Sequence, residues 1–370
     1  MSLVTNEEER LLAQSVRALL ARAAPVSAFR ALRDSGDPAR LDPKLWRRLA
    51  EAGFSAPQLP EAEGGLGMGY AAAGLVAQEM GRTLAATPFL STALSIELLL
   101  AAGDAAQKAR LLPGLLDGGR LAALALEERG RHAPDAITLR AVRDGEGWRL
   151  DGVKRFVLDG GVADRFLVVA TSEAGLLIAV VDAKAPGVAV TPLDLIDSRN
   201  AADVRFERVL AEAVLASGDA TAALDRALDV GRALLASELL GLAEEAFEQT
   251  VAYLKTREQF GVKIGSFQAL QHRAARLHVA LELARGVVLK ALRALDGGDP
   301  AASLLASLAK AFLTKTARDV MNEAVQMHGG IGVTDDLDIG FFLKRARLAG
   351  ETLGDDYFHK ERLAKLAWHI

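Results

Sequence analysis

Residues Tyr253 to His272 read YLKTREQFGVKIGSFQALQH and link two long segments whose apolar residues recur at helical spacing. The link contains Gly261 and Gly265, which permit the tight backbone turn that two successive helices need. Arg257 carries a planar guanidinium that suits a phosphate group. We predict Ser266 as the N-cap of the second helix, whose free N–H groups can also bind an anion. The stretch therefore predicts a helical hairpin with either an anion site or a solvated arginine at its link.

The composition restricts the classes of protein to consider. At 370 residues the chain exceeds one typical core, so we expect two or three subdomains. Hydrophobic residues make up 51% and aromatic residues only 5%, which indicates a core of packed Ala, Leu and Val. The net charge is −4 with both signs mixed along the chain, so no basic stripe suggests nucleic acid. The absence of cysteine excludes disulfides, iron–sulfur clusters and thiol nucleophiles.

Targeting, metal and hydrolase signals are weak or missing from the sequence. The first ten residues are acidic and lack the apolar run of a signal peptide, and no apolar stretch is long enough to insert into a membrane. We therefore expect a cytoplasmic protein. The six histidines show no metal-binding spacing, and no serine lies in a nucleophile elbow, so we predict neither a metal site nor hydrolase chemistry.

The character of the sequence changes twice along the chain. Helical spacing of apolar residues dominates up to about Leu121, short β runs separated by glycine turns follow, and long helical patterns return from about Asp219. We predict an α+β multidomain fold with an N-terminal helical domain (1–121), a central β domain (122–218) and a C-terminal four-helix bundle (219–370). The β domain is predicted as a small antiparallel barrel or sandwich.

The link resembles the signature of the acyl-CoA dehydrogenase family, R-x-[QTS]-F-G-x-x-[IL]-x-x-[FH]-Q. Four further segments resemble family motifs in the same order: LWRRLAEAG at 45–53, LPEAEGGLG at 59–67, QKARLLP at 107–113 and QMHGGIG at 326–332. Each motif alone is weak, but the set covers nearly the whole chain. The resemblance implies the family's fold, with helices, then a β domain, then a helical bundle.

The resemblance also implies a reaction, a cofactor and partners. In the family a carboxylate removes the α-proton of an acyl-CoA thioester while the β-hydride passes to FAD, and an electron-transferring flavoprotein accepts the electrons. The FAD lies between subunits, which implies a homo- or hetero-oligomer, dimer or tetramer. The residues that the resemblance implies for FAD binding are Arg257, Gln259, Phe260, Ile264, Phe267, Gln268, Gln326, Gly329, Gly330 and Phe156.

Two segments depart from the family pattern in the β domain. The family places a TEP-G-GSD segment and an [MK]-W/F-I-T-N-G strand against the flavin ring. Here residues 126–132 read LEERGRH, and residues 154–160 read KRFVLDG. Phe156 keeps an aromatic ring, but Leu158 stands where a hydroxyl usually reaches the flavin. An apolar side chain cannot replace that hydrogen-bond donor.

The catalytic carboxylate is missing from both places where the family carries it. Aligned on a glycine near the C-terminus, the usual base position is Leu353, and an alternative position in the first bundle helix is near Gly231. Glu351 is the candidate base in this chain, although on a helix it would point about 160° away from the expected face. For Glu351, Glu238 and Asp229 alike, a structural ion pair or cap is the simpler interpretation.

Three hypotheses follow from these residues. Residues 353–363, LGDDYFHKERL, resemble a divergent branch of the family that includes subunits of heteromeric enzymes acting on steroid or dicarboxylic acyl-CoAs. The chain is then an active dehydrogenase with an unusual base, a base-lacking subunit of a heteromeric dehydrogenase, or a helical binding or scaffold subunit without flavin. The retained FAD-binding residues weigh against the scaffold, and the loss of both base positions favours the base-lacking subunit.

Overall fold

The computed structural model describes residues 3–216 and 220–368, with elements in the predicted order of helices, strands and helices. This order confirms the predicted α+β fold class. The N-terminal helices are α1 Glu7–Ala23, α2 Val26–Ser35, α3 Pro43–Glu51, α4 Gly69–Thr83, α5 Phe89–Ala102 and α6 Ala105–Leu116. The main strands are β1 Ala122–Ala125, β2 Arg140–Asp144, β3 Gly147–Leu158, β4 Arg165–Ser172, β5 Gly175–Asp182, β6 Val188–Pro192, β7 Ala201–Leu210 and β8 Ala213–Ala216. The remaining elements are α7 Thr221–Thr256, β9 Glu258–Gln259, β10 Val262–Lys263, α8 Gln268–Asp296, α9 Ala302–His328, α10 Ile339–Glu351 and α11 Asp356–Ala367.

The chain forms two compact units, which we describe separately. The bundle unit comprises Met1–Phe29, Tyr70–Ala85 and Arg232–Ile370, and the sheet unit comprises Arg30–Gly69 and Ala86–Gly231. The predicted three-domain division stays a prediction. Its boundary between residues 218 and 219 lies outside the described residues.

In the bundle unit, glycines allow α4 and α7 to pack with their backbones in contact. A Cβ built on Gly241 would lie 1.9 Å from the carbonyl oxygen of Gln78, and one built on Gly81 would lie 2.4 Å from that of Glu238. No side chain fits at either distance. The two glycines therefore fix how closely these helices approach, and the Ala- and Leu-rich core predicted from composition fills the rest of the unit.

The sheet unit is built on one eight-stranded sheet. Its order is β6-β7-β3-β2-β4-β5-β8, and β1 pairs with β4 beside this path. Most pairs are antiparallel, but β1 runs parallel to β4, and Arg140 of β2 forms a parallel pairing with Thr171 of β4. The predicted antiparallel β domain therefore also contains two parallel pairings, both between strands that do not follow each other along the chain. The inner face buries Phe166 edge-on against Phe206, with ring centroids 6.0 Å apart.

Within the described residues, no helix combines the length and the apolarity that crossing a membrane requires.

Candidate functional site

The link between α7 and α8 is a β-hairpin, which the sequence analysis did not predict. Gln259 pairs with Val262 and Glu258 with Lys263, and the two residues between the strands form the turn. Phe260 has φ 55° and Gly261 has φ 79°. Positive φ at both central residues is the geometry of a two-residue type I′ hairpin turn. The Phe260-Gly261 pair does not predict this turn well, because asparagine or aspartate usually precedes the glycine of a type I′ turn.

The start of α8 differs from the prediction. The helix begins at Gln268, and its N-cap residue Phe267 makes no side-chain capping bond. Ser266 donates its hydroxyl to the carbonyl of Lys263 at 2.7 Å, so the prediction of a Ser266 N-cap is wrong. A short 3-10 turn over Ile264–Ser266 shifts the helix start by one residue, and the serine hydroxyl bonds within this turn region instead of capping the helix.

Gly265 has a different role from Gly261. A Cβ built on Gly265 would lie 2.7 Å from the carbonyl oxygen of Leu254, so this glycine lets the hairpin base pack against α7. A Cβ on Gly261 would meet nothing within 4 Å, so that glycine is required by its backbone angle alone. The two glycines predicted to permit a tight link therefore act by two separate mechanisms.

The predicted cofactor residues on the hairpin face solvent. Phe260 is 90% exposed at the tip, and its ring lies edge-on to Phe267 at 6.2 Å between centroids. Arg257, Gln259 and Gln268 are exposed as well. No carboxylate within the described parts of the chain pairs with Arg257, so its guanidinium is available to an anion. Ile264 is half-buried and donates its N–H to the Arg257 carbonyl at 2.9 Å, which closes the hairpin.

The end of α9 supplies the other predicted segment. Gln326 is exposed, and Gly329 has φ 67° and ψ −143°, a conformation open only to glycine. A Cβ built on Gly329 or Gly330 would meet nothing within 4 Å, so a ligand can approach this backbone closely. We call the hairpin (257–267), Gln268 and residues 326–330 the arm.

A ring contact joins the two segments of the arm, and sequence reasoning missed it. Tyr253 lies on α7 just before the hairpin, and its ring centroid is 4.5 Å from that of His328 at the end of α9. His328 is buried and its Nδ1 donates to the carbonyl of Ala324 at 2.8 Å. Burial lowers the pKa of His328, so the ring packs as a neutral group. No sequence signal relates two residues that stand so far apart along the chain.

Neither predicted base position carries an acid. Leu353 is buried with φ 56°, just after α10, and Gly231 is buried on α7. Glu351 ends α10 with its side chain 51% exposed, and its Oε1 lies 3.3 Å from Nη2 of Arg347 one turn earlier. Glu351 is thus a solvated ion-pair residue, as the simpler interpretation expected. Glu238 likewise lies 3.7 Å from Arg345.

Buried basic side chains hold the backbone of residues 350–354. Lys310 is fully buried and donates from Nζ to the carbonyl oxygens of Gly350 at 2.8 Å and Gly354 at 3.0 Å. His359 is also fully buried, and its Nε2 donates to the carbonyl of Leu353 at 3.1 Å. Burial lowers the pKa of Lys310 to about 7, while the nearby carboxylate of Glu351 opposes this shift. These hydrogen bonds therefore hold the backbone around Leu353, the residue that aligns with the family's usual base position and is not an acid.

In the sheet unit, a buried ion pair organises residues 126–139. Lys154 is fully buried, and its Nζ donates to Glu128 at 2.6 Å and to the carbonyl of Leu126 at 3.0 Å. Glu128 also accepts the N–H groups of Thr138 at 2.7 Å and Leu139 at 2.9 Å. Burial lowers the pKa of Lys154 to about 8, and its hydrogen bond to Glu128 acts in the opposite direction. The two segments that depart from the family pattern, 126–132 and 154–160, are thus joined by the contacts of Lys154 with Glu128 and Leu126.

Two comparisons place the chain in a family. The family model "Acyl-CoA dehydrogenase, N-terminal domain" matches residues 6–119, and "Acyl-CoA dehydrogenase, C-terminal domain" matches residues 220–367. The chain is 32% identical over 363 residues to acyl-CoA dehydrogenase IpdE2 of Mycolicibacterium smegmatis, covering 98% of each protein. The chain belongs to the acyl-CoA dehydrogenase family.

Solved structures agree with this assignment. A chain of the Tcur3481–Tcur3483 steroid ACAD superposes with a TM-score of 0.90 at 35% identity, covering 98% of each chain. A chain of the ChsE4–ChsE5 complex from Mycobacterium tuberculosis superposes with a TM-score of 0.92 at 26% identity, covering all of both chains. Both similar structures are named as two-component assemblies.

The residues of the arm fit the phosphate and adenosine half of FAD. They offer a free guanidinium at Arg257, amide side chains at Gln259, Gln268 and Gln326, and an open glycine backbone. The sheet unit fits the flavin ring less fully. Phe156 presents an exposed aromatic ring, but Leu158 provides no hydrogen-bond donor.

Proposed function

We propose that this chain is the base-lacking subunit of a heteromeric, FAD-dependent acyl-CoA dehydrogenase that introduces an α,β double bond into an acyl-CoA thioester. The observation that carries the proposal is the combination of an intact arm with no acid at either base position. Arg257 is exposed and unpaired by any described carboxylate, whereas Leu353 and Gly231 are buried and cannot accept a proton. The similarity to structures named as two-component steroid ACAD assemblies supports it.

In such an enzyme FAD supplies the acceptor for the β-hydride, and an electron-transferring flavoprotein is the expected partner that removes the electrons. The residues of this chain would bind and orient. Arg257 would pair with the pyrophosphate, because a guanidinium and two phosphate oxygens form a charge-assisted fork. The backbone at Gly329 and Gly330 would approach the ligand without steric hindrance.

Removal of the α-proton is the step that this chain lacks a suitable residue to perform alone. The α-proton of a thioester is weakly acidic, so its removal needs a carboxylate in hydrogen-bond reach and shielded from water. Glu351 does not meet that description, because it is half exposed and paired with Arg347. A partner subunit that carries the glutamate would complete the site.

The proposal is tested by expressing the chain alone and together with a candidate partner of the same family that carries a glutamate at a base position. Each preparation is assayed for FAD content and for turnover of an acyl-CoA panel with an artificial electron acceptor. We expect turnover only in the assembled pair. Robust turnover by the chain alone would refute the base-lacking role, and FAD-free assemblies would favour the scaffold hypothesis.

A further inference from the structure

A β-bulge interrupts the pairing of β3 with β7 in the sheet unit. Between two regular pairs of this ladder, Arg155 and Phe156 on β3 together oppose the single residue Asp203 on β7. One extra residue on one strand bends the strand and changes the direction of the side chains that follow. Such bulges are frequent beside binding sites, where they redirect a side chain.

The bulge turns Phe156 outward. Lys154 is buried, so strict alternation along β3 would place Arg155 outside and Phe156 inside. Instead both Arg155 and Phe156 are exposed, and the next residue, Val157, returns to the core. Phe156 is 51% exposed, which is a large apolar surface in contact with water.

The backbone at this residue is strained. Phe156 has φ 48°, a left-handed conformation that is rare for a bulky side chain. Strained residues of this kind persist only when their surroundings hold them, and they concentrate at ligand-binding sites. The combination of strain and exposure indicates that the position of this ring serves binding.

Asp203 holds the bulge from the opposite strand. Its Oδ1 accepts the N–H of Phe156 at 3.1 Å, and its Oδ2 accepts a hydrogen bond from Nη1 of Arg155 at 3.1 Å. The bulge removes the Phe156 N–H from the regular ladder, and the carboxylate takes the place of the missing carbonyl. Asp203 therefore contacts both residues of the bulge and fixes the backbone from which the phenylalanine ring projects.

We propose that Asp203 is a positioning residue that holds Phe156 as a stacking platform for the ring of the flavin. The identity of the ligand rests on the proposed function. A flavin ring is flat and aromatic, and offset stacking on a phenylalanine ring is a favourable arrangement for such a surface. The sheet unit of this chain would then contribute to binding of the flavin ring, even though Leu158 supplies no hydrogen bond.

The test compares the full-length wild-type chain with Asp203→Ala, Asp203→Asn, Phe156→Ala and the double variant D203A/F156A. Glu207→Ala is the matched control, because Glu207 lies on the same strand in an exposed ion pair with Arg205. Each protein is titrated with FAD and with riboflavin, which has the ring but neither pyrophosphate nor adenosine. The readouts are the dissociation constant and the visible circular dichroism of the bound flavin, with thermal unfolding of the flavin-free chain measured in parallel.

We expect Asp203→Ala to weaken riboflavin binding by about 3- to 10-fold, as expected for the loss of one hydrogen bond, and to reduce the flavin circular dichroism. Asp203→Asn keeps an oxygen for the Phe156 N–H and should bind within about 2-fold of wild type. Because Asp203 acts through the ring, D203A/F156A should bind no more weakly than Phe156→Ala alone. Glu207→Ala should match wild type.

Two results would overturn the inference. One is riboflavin binding by the wild-type chain that neither Asp203→Ala nor Phe156→Ala weakens, or a loss of affinity in D203A/F156A that equals the sum of the two single effects. The other is no riboflavin signal in the wild-type chain. Both are separable from failure of the proposed function, which is tested by comparing the turnover of the chain alone with that of the assembled pair. If Asp203→Ala does not fold, the riboflavin affinities of Asp203→Asn and Phe156→Ala still test the inference.

Discussion

The ammonium nitrogen of Lys310 lies 2.8 Å from the carbonyl oxygen of Gly350, inside the bundle unit and with no exposure to water. Gly350 belongs to the last turn of α10, whose carbonyls have no partner within the helix. Lys310 thus caps this helix end from the core, and its second bond, to Gly354, fixes the turn that follows. A neutral amine keeps two N–H donors, which is enough for both carbonyls.

This arrangement predicts a stability that depends on pH. Because burial lowers the pKa of Lys310 to about 7, the folded chain releases this proton well below the ordinary pKa of lysine. Between about pH 7 and 10 the unfolded chain then binds more protons, so the free energy of unfolding rises with pH by at most ~1.4 kcal/mol per unit. Urea denaturation across this range should show that Lys310→Met lowers the slope.

The matched control is Lys315→Met on the same helix, where Lys315 is exposed and paired with Asp319. That variant should keep the wild-type slope. Identical slopes for Lys310→Met and wild type would contradict the protonation argument, whatever the change in stability at a single pH.

Arg257→Ala should weaken FAD retention in the assembled enzyme. The change removes one charge-assisted contact to phosphate, worth roughly 1.5–3 kcal/mol. Since the side chain is exposed, the thermal stability of the FAD-free chain should hardly change. Arg276→Ala, at an exposed arginine on α8, is the control. A loss of flavin-free stability with unchanged FAD content would show that Arg257 is structural.

We predict that the chain assembles as a dimer or tetramer, with itself or with a related subunit. Val279 and Leu283 lie one turn apart on α8, and they are 58% and 59% exposed. An apolar helical stripe of this kind is commonly covered in an assembly. Leu283→Glu should reduce the mass measured by light scattering, while Val142→Glu, at a residue 61% exposed in the sheet unit, should not. A wild-type monomer at micromolar concentration would contradict the prediction.

The isolated chain should catalyse α,β-dehydrogenation poorly or not at all. A correctly placed base typically contributes 10²–10⁴-fold, so its absence should be plain in an assay. If FAD binds this chain, Leu353→Glu should restore part of the rate, because the backbone there is already held by His359. Turnover of the wild-type chain that Glu351→Gln abolishes would instead identify Glu351 as the base.

Much of the fold was predictable because it depends on local patterns. Helical spacing of apolar residues gave the long helices, and glycine turns between short apolar runs gave the sheet region. Strand β7 lies within the predicted β domain, where Val204 and Phe206 alternate with charged residues in the pattern of a half-buried strand. The parallel pairing of β1 with β4 was missed because strand partners far apart in sequence leave no local signal.

The features of the candidate site also divide into those that the local sequence predicts and those that it does not. Arg257 and the glycines were identified because their residue types and spacing match a family motif. Three features were not predicted, because each depends on backbone angles or on partners far apart in sequence. They are the type I′ turn, the Tyr253–His328 contact and the bulge opposite Asp203.

The sequence by itself determined the family, the order of the helical and β regions, and the absence of an acid at Leu353 and Gly231, because these are properties of residue type and spacing. Only the tertiary structure decided that Glu351 is solvated beside Arg347, that Lys310 holds the turn after α10, and that Phe156 projects outward. Exposure, pKa and side-chain direction arise from neighbours that the chain brings together on folding, so no single segment specifies them.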